Sequence, residues 1–154
     1  MKQQLLDAWN INNKMNLLLI DNINDEAMQK TLSKRGGRTV YLQLLHVHNV
    51  RLGCLETAAK DIFQKYSVLD KEAPYNRKLL RKAFEESGTA IADLIDRSWE
   101  DNGKVKGFKN GLIPFIAYLI AHDSHHRGHA MLTLKQSGIK LPDNLKWGLW
   151  EWAK

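Results

Sequence analysis

Apolar residues recur at spacings of three and four through four long segments, and nowhere do they keep the two-residue alternation of a half-buried strand. The first segment runs from about Gln3 to Ile23, anchored by Leu5, Leu6, Trp9, Leu17, Leu18 and Ile20. The second begins near Thr39, a good N-cap, just after the Gly36-Gly37 break, and continues to about Tyr66. The third follows Pro74 and reaches about Glu100, with Leu80, Ala83, Phe84, Ile91, Leu94, Ile95 and Trp99 at helical spacing. The fourth opens with Pro114 in its first turn and stops at Gly138, the usual placing of proline at a helix start and glycine just past its end.

Between these segments lie the expected breakers: Gly36-Gly37, the stretch from Asp70 to Tyr75, and Gly103, Gly107 and Gly111. There is no internal repeat and no linker long enough to divide the chain. The pattern therefore predicts an all-α fold, a four-helix bundle in a single domain over residues 1–154. The connection from Asp101 to Gly111 is the loosest and is expected to cover one end of the bundle. The tail, LPDNLKWGLWEWAK, holds three of the five tryptophans, Trp147, Trp150 and Trp152. A segment that closes a groove or an end of the bundle is the simpler expectation. A homodimer contact is the sharper one, because Trp concentrates in interface cores.

Composition narrows the class. A chain of 154 residues fits one domain and can bury roughly two-thirds of its unfolded surface, so it needs no staple to fold. The single cysteine, Cys54, cannot form an internal bridge, which favours a reducing compartment. Its place mid-helix among apolar residues suits a packed small hydrophobe better than a nucleophile. The N-terminus, MKQQLLDAWNINNKMN, has neither the apolar core nor the cleavage site of a signal peptide. The run from Leu17 to Ile20 is far short of the ~20 apolar residues a bilayer requires. A cytoplasmic protein with no membrane partner is expected. The formal charge of +6 raises a nucleic-acid partner, but the basic residues are scattered and lack interleaved aromatics, so a solvated basic surface is the better reading.

Chemistry concentrates in the fourth segment. Four of the six histidines fall within His122-Asp-Ser-His125-His126-Arg-Gly-His129. At about 100° per residue, His122, His126 and His129 share one stripe, continuing the line of Phe115 and Leu119 toward the interior, while His125 points to a flank. Side chains four residues apart lie ~5–6 Å apart at Cβ, which lets two imidazoles converge on one ion. A lone inward histidine is ordinarily a hydrogen-bonded core residue. Three on one stripe are harder to satisfy, and a shared zinc or nickel ion would satisfy several ring nitrogens at once. A third ligand must come from another helix, where only His46 and His48 remain. They stand about 200° apart, so only one can face the same point. The apolar arc of Tyr41, Leu45, Leu52 and Leu55 lies nearer His48, whereas His46 shares a pocket-like stripe with Leu42, Asn49 and Gly53. Periodicity leaves the choice open. Arg127, four residues after Asp123, reads as a helix-surface ion pair.

These residues resemble the DinB family, metal-binding four-helix bundles that include YfiT-like proteins. The resemblance rests on Leu45-His46-Val47-His48-Asn49-Val50-Arg51-Leu52 and on His122-Asp123-Ser124-His125-His126-Arg127-Gly128-His129. Trp9, Asn13, Leu17 and Leu18 in the first helix and the closing Gly-Leu-Trp-Glu-Trp extend it over nearly the whole chain. It implies a metal triad of His46, His122 and His126, while the apolar arc of the second segment keeps His48 as the alternative ligand. His129 stands where members often carry Gln, and can serve as an added ligand, an acid–base group or a substrate contact; Asn49 is a candidate for orienting substrate. Characterised relatives imply transfer chemistry on a low-molecular-weight thiol, or hydrolase-like chemistry on a small molecule. Two other classes stand beside a metal-dependent enzyme: a metal-binding protein without catalysis, and a nucleic-acid-associated protein using its charge.

Overall fold

The computed structural model describes residues 1–152, and two of its long helices open on short polar side chains that take orphan backbone donors. Thr39 accepts from the Leu42 N–H at 3.2 Å to start α3 (Val40–Ala58), and Asn76 accepts from the Leu79 N–H at 3.0 Å to start α5 (Arg77–Glu100). The other long helices are α1 (Lys2–Asn22) and α6 (Leu112–Gln136). Beyond α6, Gly138 has φ 76°, a left-handed conformation that a side chain would resist. Three short helices complete the order: α2 (Asp25–Met28), α4 (Lys60–Phe63) and α7 (Asp143–Gly148). Among the described residues there is no β-strand, only an isolated bridge between Val105 and Phe108. Among the described residues no helix is long and apolar enough to cross a membrane.

The helix expected to reach Tyr66 breaks at Ala59, whose φ of −151° and ψ of 73° lie outside the helical region. No glycine or proline announces that break. Its effect is to redirect α4 so that Ile62 enters the core while Asp61 takes a two-pronged pair with Arg97 of α5, both contacts 2.8 Å. Packing thus overrides a continuous helical pattern.

α1 packs mainly on α5, and α3 packs on both α5 and α6. The apolar core is split into two clusters. One gathers Leu19, Ile20, Leu44, Val47, Phe84 and Ala130; the other gathers Trp9, Leu52, Ala90, Ile91 and Leu119. Each long helix contributes to both, and each inserts polar residues between them: Asn12 and Asn16, Arg51, Ser87, and Asp123 with Arg127. A buried polar layer therefore crosses the bundle at mid-height.

The connection after α5 covers one end, as expected. Val105 is buried there, and the Phe108 ring lies 4.5 Å from that of Phe115. The tail also packs on the bundle, but through Leu141 and Leu145 rather than its tryptophans. Trp147, Trp150 and Trp152 are all more than half exposed, at 68, 75 and 56%. Cys54 is half-buried, and burial pushes its thiol up to about 11, so it remains a thiol at neutral pH.

Candidate metal centre

The most buried line of α6 runs through Leu112, Leu119, Asp123 and Ala130. His126 lies about 40° from that line and His122 about 80°, counting about 100° per residue. The histidines therefore stand at the rim of the interior face, where their rings meet α3 and still approach solvent. His46 of α3 completes the group. One ring nitrogen from each of His46, His122 and His126 lies within 4.8 Å of the others. The ring centroids are 4.7 Å apart for His122–His126, 4.8 Å for His46–His126 and 5.3 Å for His46–His122.

Two of the remaining nitrogens face a polar side chain. His126 Nδ1 lies 2.8 Å from Oε1 of Gln43, one turn before His46 on α3. With the Nδ1 proton donated to that oxygen, Nε2 keeps its lone pair for an ion. His122 Nδ1 faces Asp123 Oδ1 at 3.9 Å, and these two buried atoms have no other partner. A carboxylate behind a histidine is the usual way of fixing a ligand's tautomer and ring orientation. Burial, and then the neighbouring His122, His46, His125 and Arg38, push His126 down to about 4. Burial, with Arg38 and His122, also lowers His46. Neutral imidazole is the form that ligates metal, so these environments favour the competent state at neutral pH. Two imidazole nitrogens each ~2.0–2.1 Å from a tetrahedral zinc stand roughly 3.3 Å apart, so modest side-chain rotation suffices from 4.8 Å. The residues fit a divalent ion.

The other candidates lie elsewhere. His48 is buried on the opposite side of α3, its Nε2 3.2 Å from the Ser67 carbonyl, and burial lowers it. Asn49 donates to the Leu69 carbonyl and accepts from the Leu69 N–H, both at 2.8 Å, which ties the segment after α4 to α3. His129 is exposed, about 100° from the buried line of α6, and stacks on His125 with centroids 4.3 Å apart. It thus does not point inward with His122 and His126, and it pairs instead with the flank residue.

The Asp123–Arg127 surface pair is not what the structure contains. Asp123 is fully buried and salt-bridged to Arg51 of α3, itself fully buried. Asn12 and Asn16 of α1 also donate to Asp123 Oδ2, at 2.7 and 3.0 Å. Arg127 donates instead to the amide oxygens of Asn12 at 3.2 Å and Asn16 at 2.7 Å, and to Ser124 Oγ at 3.1 Å. Asp123 must overcome desolvation, which raises a carboxyl's pKa. Arg51 and the hydrogen bonds outweigh it and hold the group down at about 2. The Arg51 guanidinium is flanked by the rings of Trp9 and Phe84, at 4.7 and 4.9 Å.

A profile of the DinB family matches residues 1–148 of this sequence. The chain belongs to the DinB family. It is 21% identical to the uncharacterized protein YrdA of Bacillus subtilis over 159 aligned positions, spanning 97% of this chain and 90% of that one. A crystal structure of a DinB-like protein from Bacillus cereus superposes with a TM-score of 0.72 at 20% identity, covering 91% of this chain and 95% of that one. At that identity the likeness speaks for the fold.

Within this DinB-family chain, sequence reasoning missed Gln43, Arg38 and the role of Asp123. Gln43 lies three residues before His46 and so shares its face, a signal that was present. Asp123 adjoins a histidine, but only the path of α6 shows which way its carboxylate turns.

Proposed function

We propose that this chain binds one divalent ion, zinc or nickel, through His46, His122 and His126, and that it is an enzyme activating a low-molecular-weight thiol for transfer to an electrophilic small molecule. The observation that carries the reading is the convergence of three histidines from two helices, with Gln43 and Asp123 placed behind two of them. When bound, such an ion supplies Lewis-acid chemistry to a thiol or water at its open position.

The chain's own groups favour an anion there. Three neutral imidazoles leave the ion's charge uncompensated, and Arg38 adds a positive field felt at His46 and His126. Gln43 holds the His126 ring by a hydrogen bond and Asp123 faces the His122 ring, so these orientations need not be found anew in each turnover. His125, its ring 5.1 Å from that of His126, and His129, a further 4.3 Å on, form a line of imidazoles leading to the surface that would serve as a proton relay in this reading. A reducing cytoplasm, rich in small thiols, is the setting this reading requires.

Metal analysis of untagged protein should find close to one zinc or nickel per chain, and His126→Ala should lose most of it. In cobalt-substituted protein, a small thiol should produce a thiolate-to-cobalt band in the near ultraviolet. Its apparent affinity should rise with pH until the thiol's own pKa is passed. A cobalt spectrum indifferent to a panel of cellular thiols would refute thiol transfer and leave activated water, hence hydrolysis, as the reading. Full metal occupancy in His126→Ala would refute the site itself.

A further inference from the structure

The buried polar layer carries an imbalance of charge. It holds two guanidinium groups, Arg51 and Arg127, and one carboxylate, Asp123, which pairs with Arg51. Arg127 is only 8% exposed, yet all the oxygens it meets, on Asn12, Asn16 and Ser124, are neutral. Those three bonds occupy Nη1 and one hydrogen of Nη2. Nε and the second Nη2 hydrogen have no acceptor among the described residues, and Nε is not sealed from solvent. A cation so placed costs desolvation free energy unless something outside the layer compensates it.

Arg127 forms part of the wall of two adjoining grooves that also share Ser124, Leu149 and Trp150. They lie on the α1 and tail side of α6, away from the three histidines, none of which lines them. The larger groove has a volume of about 760 Å³, within the range of small-molecule sites. Its rim carries Lys135, Lys140 and Lys146 and no carboxylate lines it, whereas Asp7 lines the adjoining groove. Lys146 is paired with Asp143 at 3.0 Å, whereas Lys135 and Lys140 make no ion pair among the described residues. Apolar wall is supplied by Met131, Ile139, Leu141 and Leu149, with the exposed Trp150 at the edge.

Gly128 adds an independent observation. It sits in the interior of α6, where glycine is destabilising relative to alanine. It has no positive φ, and a Cβ built on it meets nothing within 4 Å. Neither backbone conformation nor packing calls for glycine here. What a side chain would occupy is the groove, which Gly128 lines beside Arg127.

We propose that this groove is a second binding site, separate from the histidine triad, for a small amphipathic carboxylate. The head group meets Arg127 and the lysine rim, and the apolar body lies against Met131, Leu149 and Trp150. A carboxylate matches the planar donor edge of a guanidinium and supplies the missing negative charge.

Octanoate and octan-1-ol, titrated into the full chain by calorimetry, test this. Octanoate should bind saturably, and the alcohol at least about tenfold more weakly, because it brings no charge to Arg127. Gly128→Leu, which improves helix propensity while filling the groove, should weaken octanoate at least about tenfold with helical content unchanged. Lys135→Glu combined with Lys140→Glu should weaken it several-fold and flatten its salt dependence. Failure of octanoate to bind, equal binding of the alcohol, or undiminished binding to either variant would overturn the proposal. Metal content plays no part in these readouts, so they stand or fall apart from the triad.

Discussion

Asp123→Asn tests the polar layer most directly, because it removes one charge and leaves side-chain volume nearly unchanged. Asp123 and Arg51 are both fully buried, so removing the carboxylate leaves Arg51 and Arg127 without any negative partner in the layer. Breaking a buried pair by deleting one member costs about 3–5 kcal/mol. A second route gives a compatible figure. The carboxyl is held at about 2 against an ordinary 3.8, a difference of about 1.8, which at 1.36 kcal/mol per unit is about 2–3 kcal/mol of stability. The exposed Arg97–Asp61 pair, by contrast, is screened by solvent and should contribute far less. Urea unfolding of metal-free protein at pH 7 should therefore show a loss of about 3–5 kcal/mol for Asp123→Asn, with an unchanged m-value. The sign with pH follows from linkage. A depressed carboxyl pKa gives stability that is complete above about 4 and is lost as pH falls toward 2, so the wild-type and variant stabilities should converge over that window. A loss under about 1 kcal/mol at pH 7, or curves that stay parallel on acidification, would refute the buried-charge account.

Asp123→Asn should also weaken metal binding by roughly 10–100-fold, since an amide N–H aimed at His122 Nδ1 forces the proton onto Nε2; unchanged affinity by competition with a chelator would count against that orientation. His46→Ala should abolish stoichiometric metal while His48→Ala retains it, read by elemental analysis, and the reverse result would place the α3 ligand wrongly. Metal-free protein should lose stability between about pH 6.5 and 4. There the unfolded chain binds a proton that His126, lowered to about 4, refuses; in His126→Gln that part of the urea-midpoint profile should flatten. Gly88→Ala should destabilise by about 1–3 kcal/mol in the same assay, because its Cβ would stand 2.2 Å from Asn13 Nδ2. That amide is pinned by the Phe84 carbonyl and Arg51, so a neutral result would show that α1 can shift away.

Four helices, the Thr39 cap and the histidine pair of α6 were legible in the sequence because each depends on local spacing. Thr39 before an apolar run, Pro114 in a first turn and Gly138 at a C-terminus act within one turn of the chain. His122 and His126 must share a face of any helix that contains both. What the sequence left open depended on rotation about helix axes. His46 and His48 are equally histidine, and only the packing of α3 against α6 turns the first toward the triad and the second toward Ser67. The same rotation carried Asp123 and Arg127, a plausible surface pair by spacing, to the centre of the bundle, and set His129 at its surface. The break at Ala59 belongs to this class too, since burial of Ile62 rather than any local breaker decides it. Periodicity fixes angles within one helix. Where the zero of each angle falls is settled by the neighbours, whose buried polar groups must find partners from other helices.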